Sequence, residues 1–289
     1  MKLILSAILM TAAFAMSACS EGAKVGQTSM TPSDAIVGGR EVSPEEPLSK
    51  RVVLLYDTTG GICTASLISS DLLLTAAHCV ESGASKLVAL FGHSIEEASY
   101  ISDKIKVAKV VTYPAYHNPM ATIRGDVAVV KLVRPAPSEY EIALLPPLTL
   151  RIPSGTELIS IGYGRTEGTQ SEDGDNQGSG ILRTVGTLVA DIVLNREGIG
   201  IDQSNGQGVC NGDSGGPAYY QVGDKFYVVG IAHAVYYDVP DEIADDQEKV
   251  DEYLKNLDIC KQYGVYMSVG FYKNWILDQM ALLNPSPKK

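Results

Sequence analysis

Short apolar and β-branched runs, each broken by Gly, Pro, Asp or Ser, recur from residue 51 onward. This rhythm predicts an all-β chain. In the first half the runs cover 51–56, 65–69, 72–75, 87–91, 105–112 and 127–132, about six strands. The proline-rich stretch 135–147 then reads as a connection between two structural units. Runs resume at 157–163, 182–193, 218–222, 226–232 and 265–269, with Gly223-Asp224 as a hairpin turn. Two segments break the rhythm. In 271–283, Trp275, Ile276, Met280 and Leu283 recur at helical spacing, and Pro285 follows as a stop. Between Val235 and Cys260, the spacing of Ile243, Val250, Leu254 and Leu257 predicts an amphipathic helix with Asp241 as its N-cap, just after Pro240.

The N-terminus carries Lys2, a mostly apolar run over 3–16, and Ser17-Ala18-Cys19. Charge and length are those of an export signal over 1–18. Residues 19–35 are small and polar without periodicity, as in a flexible tether or propeptide. No later run is apolar enough to span a bilayer. The 289 residues are 45% hydrophobic, enough for an ordinary core, and the net charge of −11 argues against nucleic acid as a partner. Seven of those charges fall between Val235 and Cys260, where nine acidic side chains face only Lys249 and Lys255. Such a surface keeps a protein soluble or steers basic substrates. Five cysteines in an exported protein leave one over if the others pair.

The chemistry concentrates in Cys210-Asn211-Gly212-Asp213-Ser214-Gly215-Gly216-Pro217. A serine among glycines keeps its backbone N–H groups free to meet a reacting oxygen. Its hydroxyl is a weak nucleophile until a base takes its proton and an acid orients that base. Thr75-Ala76-Ala77-His78-Cys79 supplies a histidine, and Gly125-Asp126-Val127 opens an apolar run with an aspartate. The G-x-S-x-G of an α/β-hydrolase elbow is also present, but only His233 follows the serine and no βαβ alternation precedes it.

With Ile36-Val37-Gly38-Gly39, these motifs stand in the order found in the trypsin/chymotrypsin family of serine proteases, which the chain resembles from Ile36 to about Leu283. The resemblance implies two packed six-stranded antiparallel β-barrels and a C-terminal α-helix. Barrel one would span about 36–145, barrel two about 146–269 and the helix about 271–283, within a protease domain of 36–289. It implies Ser214 as nucleophile, His78 as general base and Asp126 as its orienting acid, with an oxyanion hole from the N–H groups of Gly212 and Ser214. Cleavage before Ile36 would free an amino group to pair with Asp213, so the uncut chain would be a zymogen. Disulfides Cys63–Cys79 and Cys210–Cys260 are expected, with no metal and no cofactor.

Cys19 is the unpaired cysteine, and Met16-Ser17-Ala18-Cys19 resembles the lipidation motif of bacterial lipoproteins, with Met16 where Leu is usual. The expected location is the bacterial cell envelope as a lipoprotein precursor, or the periplasm or medium after maturation. A lipid on Cys19 would be the sole membrane contact. Substrates would be proteins or peptides. In the resembled pocket Gly208 stands at the base, followed by Val209, with Val235 on one wall and Gly264 on the other. No charge is there for Lys or Arg, and the valine narrows the entrance, so an elastase-like preference for small or medium apolar residues is expected. Ala35 precedes the activation bond, which allows self-processing as well as a separate activating protease. His233, or Ala232 if the register slips by one, would face Asp126, with a packing role expected for the histidine. Two alternatives are a non-catalytic binding protein of the same fold and a dedicated protease with one protein target.

Overall fold

The structure is a computed structural model describing residues 36–100, 104–117, 125–169, 178–190 and 196–284. The expected signal peptide, the tether 19–35 and Cys19 lie outside the described residues. Strands β1 (Arg40–Glu41), β2 (Val52–Asp57), β3 (Ile62–Ser69), β4 (Leu72–Thr75), β5 (Leu87–Leu90), β6 (Ile105–Thr112) and β7 (Ala128–Leu132) form in the first half. Six of them, in the order β2-β3-β4-β7-β6-β5, close into an antiparallel barrel. The continuous apolar run of β4, Leu72 to Leu74, is wholly buried because both its neighbours and the barrel interior cover it.

The second half holds β8 (Glu157–Gly162), β9 (Arg183–Leu188), β10 (Gly198–Asp202), β11 (Pro217–Val222), β12 (Lys225–Tyr236) and β13 (Tyr263–Ser268). Their order is β9-β8-β11-β12-β13-β10, and the two ends meet through a bridge between Val189 and Ile201. The edge strand β1 adds a seventh member beside β9. The N-terminal segment thus begins against the second sheet before the chain builds the first barrel. β1 and β10 are absent from the pattern-based expectation. The first is only two residues long, and the second alternates glycine with isoleucine and shows no β-branched run.

Among the described residues three α-helices form, α1 (Ile95–Tyr100), α2 (Gln247–Asn256) and α3 (Val269–Leu283), beside short 3-10 turns. α3 buries Val269, Tyr272 and Ile276, and it docks onto the first barrel where Tyr113 makes edge contacts with Tyr272 at 4.9 Å and Trp275 at 5.4 Å. α2 starts later than the sequence suggests. Its N-cap is Asp246, whose carboxylate accepts from the Lys249 N–H at 3.3 Å, while Asp241 lies in the preceding turns. The helix buries no residue, so its Val250 and Leu254 stripe stays half-covered. Among the described residues no helix is long and apolar enough to cross a membrane.

Both expected disulfides form, Cys63–Cys79 between β3 and the turn after β4, and Cys210–Cys260 across the second unit. Replacing Cys63 and Cys79 together by serine should lower stability by about 3 kcal/mol through the regained freedom of the open loop. Urea unfolding under oxidising conditions measures this.

Candidate active site

Asp126, at the entry to β7, is 1% exposed and is met by three N–H groups. The backbone N–H of His78 donates to Oδ1 at 2.8 Å. The Nδ1 atoms of His78 and His233 both bond Oδ2, at 2.7 and 2.6 Å. Burial alone would push the Asp126 carboxyl upward. The hydrogen bonds and charge of His233 and His78 outweigh it and hold the group well below the usual carboxylate range. An ionised carboxylate only accepts, so each Nδ1 carries a proton, and in the neutral ring Nε2 is the nitrogen with the lone pair. The Nε2 of His233 faces the Tyr236 hydroxyl at 3.4 Å. That of His78 has no partner among the described residues, which leaves it free to take a proton. His78 itself is raised above the ordinary histidine value: desolvation opposes the shift, and the bond and charge of Asp126, with Glu81 behind them, prevail.

His233 reaches Asp126 because β12 carries a bulge. Ala232 faces Tyr266 and Ala234 faces Val265, so His233 is the extra residue between them. This settles the register in favour of His233, and its role is a hydrogen bond rather than the expected packing. The ligand atoms of His78, Asp126 and His233 lie within 4.8 Å of one another, but a metal ion would have to displace both Nδ1 protons from Asp126.

Ser214 is half-buried in a turn built by two glycines in the left-handed region, Gly212 at φ 99° and Gly215 at φ 79°. A Cβ on Gly215 would overlap the Thr75 hydroxyl and lie 2.9 Å from the Ala76 nitrogen, so the serine turn abuts the segment leading to His78. The turn is clamped on both sides. Gly215 N–H donates to Ala232 at 2.7 Å, and Thr64 of β3 donates its N–H to the Ser214 carbonyl at 2.8 Å. The Thr64 hydroxyl donates to the Gly212 carbonyl at 3.0 Å, turning that carbonyl into the protein and leaving the Gly212 N–H unbonded among the described residues. No hydrogen bond joins Ser214 Oγ to the His78 ring in this arrangement.

Over residues 36–247 the chain matches the family model of trypsin. It belongs to the trypsin family of serine proteases. It is 30% identical over 193 residues to brachyurin of Leptuca pugilator, covering 64% of this chain and 81% of that protein. Chymotrypsin-like elastase family member 1 of Bos taurus is 26% identical over 216 residues, covering 69% and 79%. Serine protease SP24D of Anopheles gambiae is 32% identical over 192 residues, covering 63% and 66%.

Other motif residues of this trypsin-family chain also have defined surroundings. Ile36 is fully buried at φ 40°, Val37 bridges to Gly208, and the Gly208 N–H donates to the Val37 carbonyl at 3.1 Å. Asp213 is 1% exposed, and its two oxygens accept from the backbone N–H groups of Gly164 at 2.8 Å and Cys210 at 2.9 Å. Burial dominates and lifts its carboxyl to about 7, against the pull of those bonds and of the Arg183 charge. Val235 and Gly264 stand opposite each other in the β12–β13 ladder, and Gly208, Gly264 and the buried Val209 all meet one further residue. The side chain between them is Gln203, wholly buried just after β10, which the sequence reading missed. Neither periodicity nor a motif marks it.

Two outcomes follow from the charges. Removing His233 frees Asp126 Oδ2 for His78 alone, which strengthens the imidazolium; His233→Ala should move the acidic limb of kcat/KM to higher pH. An unmoved limb would mean that the bond carries no charge coupling. The Asp213 carboxyl keeps its proton in the native chain to about pH 7, whereas an unfolded carboxyl releases it near pH ~4. The intact chain should therefore hold this contribution fully below that lower value and lose it as pH rises to about 7. Urea unfolding across this range should show the decline, and Asp213→Asn should flatten it.

Proposed function

We propose that the chain is an exported serine endopeptidase, made as a zymogen, that hydrolyses peptide bonds after small or medium apolar residues. The observation that best supports this is the free Nε2 of His78, whose ring is held by the buried Asp126 carboxylate, in a turn that abuts the half-buried Ser214 turn. In the reaction the Ser214 hydroxyl gives its proton to His78 Nε2 as its oxygen attacks the substrate carbonyl carbon. The carbonyl oxygen gains the electron pair and is met by the N–H groups of Gly212 and Ser214. His78 returns the proton to the leaving amine, and water then releases the acyl group by the same steps in reverse. Asp126 stays ionised throughout and stabilises the imidazolium.

The buried environment of Asp213 supports the zymogen reading. A carboxyl lifted to about 7 by desolvation gains most from a cation. Cleavage before Ile36, a residue already inside, would release an amino group to serve as that cation. The Ala35 side chain would suit the enzyme's own pocket, so self-processing is part of the proposal, alongside an external activating protease. Export through the 1–18 signal, with Cys19 as lipid attachment, would place the precursor in the cell envelope and release the enzyme on cutting.

The test compares the intact chain, a chain beginning at Ile36, and its Ser214→Ala variant on peptides ending in Ala or Val before the bond. The trimmed chain should label with a fluorophosphonate at Ser214 and turn over, and Ser214→Ala should lose about 10⁴-fold or more in kcat. A folded, correctly trimmed chain that neither labels nor turns over would overturn the catalytic reading in favour of a binding role.

A further inference from the structure

We infer that Gln203 is the floor of the primary specificity pocket and limits the residue before the cleaved bond to alanine-sized or valine-sized side chains; this rests on the protease reading above. Of the proposed pocket positions, Gly208 at the base and Gly264 on one wall have no side chains. By themselves they describe a deep, open slot. The structure fills it from a third place. A Cβ built on Gly208 would overlap the Cδ and Cγ of Gln203, and one built on Gly264 would overlap its Oε1. Two walls therefore aim their side-chain directions at one point, and the Gln203 amide is already there.

The amide is fixed rather than mobile. Its Nε2 donates to the carbonyls of Val209 at 3.1 Å and Cys260 at 2.8 Å, and its Oε1 accepts from the Val209 N–H at 2.8 Å. Both Nε2 protons are used, so the floor has no donor left for a carboxylate or carbonyl side chain. It carries no charge to pair a buried Lys or Arg, whose desolvation would go uncompensated. The backbone N–H of Gln203 donates to Gln262 at 2.9 Å, which ties the floor to the strand that bears Gly264. Gln203 is 0% exposed and Gly208 is buried beneath it, so a long or aromatic side chain entering past Val235 meets a filled, hydrogen-bonded base. The two glycines are then a requirement of the glutamine: any side chain at 208 or 264 would evict it. Gln203 acts on selection by volume and polarity, and no proton passes through it.

The experiment uses the chain beginning at Ile36 and two readouts. The first is kcat/KM on peptides differing only in the residue before the bond, Ala, Val, Leu, Phe or Lys, normalised to fluorophosphonate-titrated sites. The wild type should favour Ala and Val over Leu and Phe by about tenfold or more, and Gln203→Ala should raise Leu and Phe relative to Ala by a similar factor. Gln203→Met, which keeps the volume and loses the amide, should keep the wild-type order. The second readout needs no catalysis: indole, titrated calorimetrically, should bind Gln203→Ala and not the wild type. Failure of Ser214 labelling with indole binding only to Gln203→Ala would overturn the protease reading and leave the floor in place. A wild type that accepts Phe as well as Ala, or binds indole, would overturn the floor, and it does so even if the Ala variant does not fold. A folded Gln203→Ala with unchanged preference and no indole binding would do the same.

Discussion

Thr64 is the residue through which the two sheets hold one geometry. It is wholly buried on β3 of the first barrel. Its N–H reaches the Ser214 carbonyl, its hydroxyl donates to the Gly212 carbonyl and accepts the Tyr163 N–H at 3.2 Å, and its own carbonyl takes the Thr75 hydroxyl at 2.9 Å. Each of these groups would be an unpaired buried dipole if the sheets slid apart. The serine turn belongs to the second unit and the histidine turn to the first, so their alignment depends on this small polar cluster together with the apolar core that both sheets share.

The buried carboxylate of Asp126 does a similar job. It receives one imidazole from each sheet, His78 from the first barrel and His233 from β12 of the second. A single oxygen shared by two rings couples orientation to electrostatics. The proton affinity of His78 depends on where the second sheet places its bulge, and the position of the bulge depends on the clamps between Ala232 and the serine turn. Geometry and charge are set by the same contacts.

The first barrel and the all-β character of the second sheet were legible in the chain because half-buried strands must alternate or run apolar, and β4 and β6 appear with the bounds their pattern suggests. The chemical motifs were legible because few residue types can serve as nucleophile, base and acid. What escaped has physical reasons. The Gly-Ile alternation of β10 hides a strand, since glycine gives no face to read. A bulge shifts register by one residue without changing composition, so Ala232 and His233 could not be separated from sequence. In a segment as acidic as 238–258 several aspartates qualify as helix caps, and only the path of the chain selects Asp246 over Asp241. Gln203 is recognisable only by what surrounds it, because a glutamine near a strand end has no distinctive spacing.

The backbone of Ile36 has a further consequence. A β-branched residue at φ 40° is in a conformation costing about 1–2 kcal/mol. That torsion is defined by the carbonyl carbon of residue 35, so it exists only while the bond before Ile36 is intact. Hydrolysis there abolishes the angle instead of relaxing it, and rejoining the ends would have to rebuild it against a buried isoleucine. Were the bond cut there, as proposed, the docked segment would resist religation.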